Sequence, residues 1–207
     1  MIYFDLFMIT KKEILNSRSL QQINNLVSKC KRCDLYKTKK CDVSGEGNSK
    51  ASILFIGEGP GKAENKTGRP FVGRAGKFLD SLLGSININR KDIFITNLIK
   101  HWPPDNRKPK RGEIGACFPY LETQIRIVNP TIIVLLGGFS FNVFFPSEQI
   151  SKEHGKFLNK DSRDYLALYH PAAAIYNNNL TNILMNDFQK LKKYENYNKE
   201  KNVGKDR

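Results

Sequence analysis

Four short stretches of the chain are apolar at nearly every position: 52–56 (SILFI), 93–96 (IFIT), 131–136 (TIIVLL) and 166–169 (LALY). Runs of this kind, without polar alternation, predict strands buried on both faces, as in a parallel sheet covered by helices. Between and around them the apolar residues recur at helical spacing. A short helix is expected over 10–29, where Leu15, Leu20, Ile23, Leu26 and Val27 fall roughly on one side, and further helices over 75–83, 113–128 and 181–193. Strand, helix, strand, helix in this order predicts an α/β fold, a three-layer α/β/α sandwich around a central, mostly parallel four-stranded sheet. One domain is expected over 10–193. The stretch 194–207 is polar, rich in Lys and Asn and without periodicity, and reads as a disordered basic tail. There is no internal repeat.

Composition narrows the partners rather than the fold. Lys and Arg number 34 against 20 acidic residues, a formal net charge of +14. Such an excess points to a polyanion, most commonly nucleic acid, with an anionic membrane surface as the lesser option. No apolar run approaches the ~20 residues of a membrane span. The opening MIYFDLFMIT is apolar only briefly and is interrupted by Asp5, with no cationic leader and no cleavage site, so no signal peptide is expected. Met8 is an alternative start. The chain is read as intracellular, and in a reducing compartment Cys30, Cys33, Cys41 and Cys117 are metal ligands or plain thiols rather than disulfides.

Three of the four expected strands end in groups able to do chemistry: Gly57-Glu58, Asn97 and His170. In open α/β sheets ligands bind beyond the carboxyl ends of the strands, so a carboxylate, an amide and an imidazole share one rim. Taken singly, Asn97 reads as a turn or cap residue and His170 as a hydrogen-bonded surface histidine. The loop after the first strand is rich in glycine, which lets backbone amides approach a ligand. It lacks the Gly-Lys-Ser/Thr ending of a P-loop. Phe71, in a polar, glycine-flanked setting, is either a core residue or a stacking platform for a planar ligand.

Taken together, GEGPGKAENKTGRPFVGRAGKFLD, ITNLIKHWPPDNRKPKRGEIGACFPYL and YHPAAAIYN resemble, in order and spacing, the three main motifs of the family 4 iron–sulfur uracil-DNA glycosylases. The Cys30-x-x-Cys33 pair and the Gly45-Glu46-Gly47-Asn48 turn upstream match as well, so the resemblance covers about residue 25 to 192. It implies an enzyme that flips uracil out of DNA and hydrolyses its N-glycosidic bond, leaving an abasic site in base-excision repair. By that resemblance Asn97 reads the edge of uracil with its paired donor and acceptor. His170 steadies the departing anion, Phe71 stacks on the flipped base, and the backbone around Gly57 and Gly59 completes the pocket. Glu58 and Glu64 match the carboxylates of the first motif; which of them orients the water stays open. Expected phosphate contacts are Arg69, Arg74, Lys100, Arg107 and Lys108. Family members commonly carry a Leu-Leu-Arg-Asn wedge where this chain has Ala174-Ile175-Tyr176-Asn177, which makes Ile175 and Tyr176 the wedge candidates. The expected partner is uracil-containing DNA, bound by a monomer.

The resemblance also implies a [4Fe–4S] cluster. Cys30, Cys33 and Cys117 match three of its cysteines, while the third position of the family holds His101, with 15 residues between it and Cys117. Histidine is an acceptable iron ligand in such clusters. Cys41, eight residues beyond Cys33, is the competing ligand. Two other readings stand beside this one: a non-catalytic uracil- or DNA-binding relative, and a zinc-ribbon nucleic-acid-binding protein built on Cys30, Cys33 and Cys117.

Overall fold

The computed structural model describes residues 9–203, with side chains described as far as 194. The strands are β1 (Glu46–Gly47), β2 (Ile53–Gly57), β3 (Phe94–Asn97), β4 (Ile132–Leu136), β5 (Phe157–Lys160) and β6 (Arg163–Leu168). The helices are α1 (Lys11–Leu15), α2 (Leu20–Ser28), α3 (Lys62–Thr67), α4 (Arg74–Ser85), α5 (Arg111–Val128), α6 (Gly138–Phe144), α7 (Ile150–Glu153), α8 (Pro171–Ile175) and α9 (Asn178–Val203).

One sheet runs in the order β1-β3-β2-β4-β6-β5. Its four inner strands are parallel and are the four expected from the sequence. The sheet is nevertheless six-stranded, because β1 and β5 add antiparallel edges. Neither edge carries a run of buried apolar residues: β1 has two residues and β5 reads Phe-Leu-Asn-Lys, mostly exposed.

Why the inner strands read as unbroken apolar runs follows from how their faces are covered. Ile53, Phe55, Val134, Leu136, Leu166 and Leu168 point to one side, where Leu79 and Leu82 of α4 and Leu184 and Phe188 of α9 meet them. The alternate residues Leu54, Ile56, Ile133, Leu135 and Ala167 point to the other, against Leu121 of α5 and Phe141 and Phe144 of α6. A third, smaller core packs Ile14, Ile23 and Val27 of the N-terminal helices onto Tyr120 of α5, with Cys30 and Cys117 among its members.

The single N-terminal helix expected over 10–29 is two. Thr10 caps α1 in a capping box with Glu13. Ser19 then opens α2, its hydroxyl accepting the Gln22 N–H at 3.2 Å. A second strong cap inside an apolar periodicity restarts the helix rather than prolonging it. At the other end α9 runs to Val203, so the expected boundary at 193 falls inside a helix, and residues 204–207 of the expected tail lie outside the described residues. Among the described residues no helix is long and apolar enough to cross a membrane.

Phe188 fixes α9 to the sheet. It is fully buried and its ring stacks on Phe55 with centroids 6.2 Å apart. Phe188→Ala is expected to lower unfolding free energy by about 3–5 kcal/mol, read from a urea melt. A loss under 1 kcal/mol would mean that α9 contributes little to the core.

Candidate functional site

A cavity of about 490 Å³ opens at the carboxyl ends of the parallel strands. Its walls come from the loop that follows β2, from Asn97 and the segment after β3, and from His170 after β6, at the strand ends where such sheets hold ligands. Gly57, at the end of β2, packs against two of the cavity's lining residues, Asn97 and Phe71. A Cβ there would stand 2.4 Å from Asn97 Oδ1 and 2.7 Å from Phe71 Cζ, so only glycine lets the amide and the ring converge. Asn97, paired with Gly57 in the β2–β3 register, is 2% exposed. Its side-chain amide makes no hydrogen bond among the described residues, although it lines the cavity. Phe71 is buried, and its ring lies 5.7 Å from that of His170.

His170 ends the segment after β6 and serves as N-cap of α8, with Pro171 at the first helical position. Its Nδ1 accepts the Ala172 N–H at 3.1 Å, which assigns the proton of the neutral ring to Nε2. Burial pushes its pKa down to about 4, and Glu64 opposes the shift only in part. The ring is therefore a neutral N–H donor at physiological pH. Gly137, at φ +90°, sits beneath it, and a Cβ there would approach His170 Cβ to 2.9 Å.

The two carboxylates behave differently. Glu64 is buried and spends its oxygens on the main chain, accepting the N–H of Gly61 at 3.0 Å and those of Val72 and Gly73 at 2.9 Å each. Both of its oxygens are thus engaged in holding the loop. Glu58 is half-buried, lines the cavity and has no side-chain hydrogen bond among the described residues. Burial raises its carboxyl above the ordinary range, with Lys108 pulling the other way. Arg90, which no local signal in the sequence marks, donates to the carbonyls of Phe71 (3.1 Å) and Pro70 and pairs with Asp80 at 2.9 Å.

A second, small cavity is lined by Cys30, Cys33, His101 and Cys117 together with Lys100 and Tyr120. Among the described residues, two buried side-chain polar atoms lack a hydrogen-bond partner, His101 Nε2 and Tyr120 OH, and both residues line this cavity. His101 is 4% exposed, and burial, with Lys39 nearby, pushes its pKa down to about 4, while Asp42 Oδ1 stands 3.8 Å from its Nε2, beyond hydrogen-bond reach. Burial pushes the Cys117 thiol up to about 12. Cys41 faces elsewhere, its thiol directed at the Lys66 carbonyl 3.6 Å away. Among the described residues no three His, Cys, Asp or Glu side chains form a group that could hold a metal ion. Three thiols and an imidazole nonetheless line this one cavity.

Comparison with known proteins settles the family. The profile of the Uracil DNA glycosylase superfamily matches residues 44–198. The chain is 47% identical over 184 residues to the type-4 uracil-DNA glycosylase of Saccharolobus solfataricus, covering 84% of this chain and 85% of that one. It is 45% identical to the type-4 enzyme of Sulfurisphaera tokodaii (84% of each chain) and 41% identical to that of Archaeoglobus fulgidus (84% and 92%). The chain belongs to the uracil DNA glycosylase superfamily.

Within this glycosylase fold the expected phosphate contacts divide. Lys108 is exposed and Arg74 and Arg107 line the mouth of the cavity. Arg69 is held by Glu46 through two bonds of 2.7 and 2.8 Å, and Arg107 by Glu113 through bonds of 2.9 and 2.6 Å. Arg74 lies over the ring of Tyr176, 5.4 Å from its centroid, and donates to its hydroxyl at 2.5 Å. Tyr176 is 76% exposed, whereas Ile175 is partly buried, so of the two wedge candidates Tyr176 projects. Lys100 does not belong in the phosphate set. It is 1% exposed, its ammonium turned inward to Thr96 Oγ1 and the Asn97 carbonyl at 2.7 Å each, and burial pushes its pKa down to about 8. Lys62, which no sequence signal singles out, is exposed and lines the cavity.

The neutral His170 donor has a pH signature. Its pKa is depressed from the ordinary 6.5 to about 4. Above pH 6.5 the ring is neutral folded or unfolded and contributes no pH dependence. Between 6.5 and 4 the unfolded chain binds a proton that the folded one refuses, so stability falls as pH falls. Nitrogen-detected NMR of the imidazole is expected to show the Nε2–H tautomer at pH 7 and a midpoint near 4; a midpoint near 6.5 would remove the buried, neutral assignment.

Proposed function

We infer that this chain is a uracil-DNA glycosylase: it takes a flipped uracil into the β2–β3–β6 cavity and hydrolyses the bond from its N1 to deoxyribose. The convergence of Phe71, the unpaired Asn97 amide and the neutral His170 donor on one buried pocket carries this reading. The names of the type-4 relatives support it.

Breaking the glycosidic bond places positive charge on the sugar and negative charge on the departing base, so groups that favour both accelerate it. Phe71 offers a face on which the base stacks. The Asn97 amide, held against Gly57, presents a donor and an acceptor that match the uracil edge and oppose that of cytosine. His170, its Nδ1 engaged by Ala172, directs Nε2–H to the carbonyl on which the leaving anion develops. Glu58 is the carboxylate left free to meet water or sugar, while Glu64 holds the loop. Phosphates approach the rim formed by Lys62, Arg74, Arg107 and Lys108, and Tyr176 enters the gap that flipping opens; the unstacking it offsets costs on the order of a few kcal/mol. The exposed large apolar side chains among those described, Phe157, Tyr176 and Met185, are few, which suits a monomer.

The cavity ringed by Cys30, Cys33, His101 and Cys117 is the proposed seat of a [4Fe–4S] cluster. When bound, it cross-links the N-terminal loop to α5 and supplies no step of the hydrolysis. The unpartnered His101 Nε2 in that cavity supports histidine over Cys41 as the remaining protein ligand.

Asn97→Ala is expected to slow excision at least ~100-fold, since losing one donor to a developing anion costs roughly 2.7–4 kcal/mol. Release of free uracil from a uracil-containing oligonucleotide, leaving an alkali-labile site, reads this out. Wild-type protein that binds such DNA without releasing uracil would sink the enzymatic reading. For the cluster, Cys41→Ser should stay brown, absorb near ~400 nm and keep about four irons per chain, whereas His101→Ala should lose iron. The opposite pattern would hand the ligand role to Cys41.

A further inference from the structure

Among the described residues, Lys100 is the one buried lysine or arginine, and neither the base pocket nor the rim accounts for it. Three residues past Asn97, its side chain turns back into the protein, and Nζ donates to Thr96 Oγ1 and to the Asn97 carbonyl at 2.7 Å each. The surroundings are polar and closed. Thr96 Oγ1 bonds the Ser44 carbonyl at 2.9 Å and Gln124 Oε1 at 3.1 Å, and Gln124 Nε2 donates to the same carbonyl at 2.6 Å. Main-chain bonds hold the lysine itself, the Val43 N–H donating to its carbonyl at 2.8 Å.

No carboxylate of the described residues pairs with this ammonium. Burying a charge without a counter-charge is costly, and such groups are normally paired. The structure offers one candidate anion, the thiol set of the cavity that Lys100 lines with Cys30, Cys33 and Cys117. Iron-bound thiolates would supply the missing negative charge there. The same ammonium grips the main chain of Asn97, the residue whose amide meets the base.

We propose that Lys100 is a positioning residue: its charge balances the cysteine cavity, and its N–H groups fix the end of β3 so that the Asn97 amide points into the base pocket. This rests on the cluster and Asn97 assignments above. It makes the cavity and the pocket communicate through one side chain, although Lys100 touches neither DNA nor base.

The test is a cycle of Lys100→Met and Asn97→Ala in the full-length, iron-loaded protein, with single-turnover excision, DNA affinity and iron content measured on each. Lys100→Met is expected to lower the excision rate constant about 10-fold or more, with DNA affinity unchanged and iron lost on exposure to a chelator. Added to Asn97→Ala it should slow excision no further, because its effect passes through Asn97. Lys100→Arg keeps the charge but not the geometry, and should hold iron at the wild-type ratio while excising more slowly than wild type. Should Lys100→Met not fold, Lys100→Arg is carried through the same cycle with Asn97→Ala. Losses that multiply in the double variant would overturn the proposal, as would wild-type excision by either Lys100 variant, or DNA affinity falling in place of the rate. A wild-type protein without iron or without excision would instead overturn the functional reading on which the proposal rests.

Discussion

The glycine-rich loop after β2 takes its shape from one buried carboxylate. Glu64 accepts main-chain N–H groups from Gly61 on one side and from Val72 and Gly73 on the other, so it joins the start of α3 to the start of α4. Phe71, immediately before Val72, has φ +50°, a left-handed conformation that an aromatic residue rarely adopts. Such strain costs of order 1–3 kcal/mol. Hydrogen bonds to a charged acceptor are worth about 1.5–3 kcal/mol each, so the three on Glu64 outweigh it. Arg90 grips the carbonyls of Pro70 and Phe71 from the other side. The ring is thus fixed between two ionised groups that never touch it, and the position of the stacking face against Gly57, Asn97 and His170 follows.

Electrostatics inside the pocket and on its rim obey different rules. Inside, His170 is kept neutral by burial and by the Ala172 N–H on Nδ1, so it offers a directional donor without carrying a charge that would have to be desolvated. At the rim the cations are borrowed rather than idle. Arg69 rests on Glu46, Arg107 on Glu113 and Arg74 on the Tyr176 ring. A partly exposed pair such as Arg69–Glu46 is worth ~0–1 kcal/mol, whereas Arg107 is held through two bonds by a buried Glu113 and is fixed more firmly.

How much of this is legible in the sequence depends on whether the cause is local. The inner strands are legible because covering both faces demands apolar residues at every position. Asn97 and His170 are legible because strand ends converge on one rim, and the family motifs name them. The edge strands are not, since their partners, and not their own residues, make them strands. Nor is the division of labour between Glu58 and Glu64, which follows from which backbone amides the loop brings around each. Lys100 is the instructive error: a lysine in a basic chain is read as exposed because lysines are almost never buried unless paired. The acceptors that hold it come from its own strand end, and the polar cage around them from residues 44 and 124, a contact no local pattern announces.

The N-terminal layer raises a question of a different kind, what holds two short helices with a small core of their own onto the domain. The break between α1 and α2 leaves main-chain carbonyls that neither helix can satisfy. Side chains of α5 satisfy them: Thr123 donates to the Ile14 carbonyl at 3.2 Å, and Arg126 to those of Leu15 and Ser17 at 3.1 and 2.5 Å. Further along, Arg32 bonds the Ala116 carbonyl at 3.1 Å. These contacts line one seam along α5, and the cysteine cavity lies on the same seam, with Cys30 and Cys33 on the N-terminal side and Cys117 on α5. A small core buries too little apolar area to hold a layer firmly by itself. A group bound by donors from both sides would close the seam where hydrogen bonds alone hold it, and would do so beside the residue that bonds the Asn97 carbonyl.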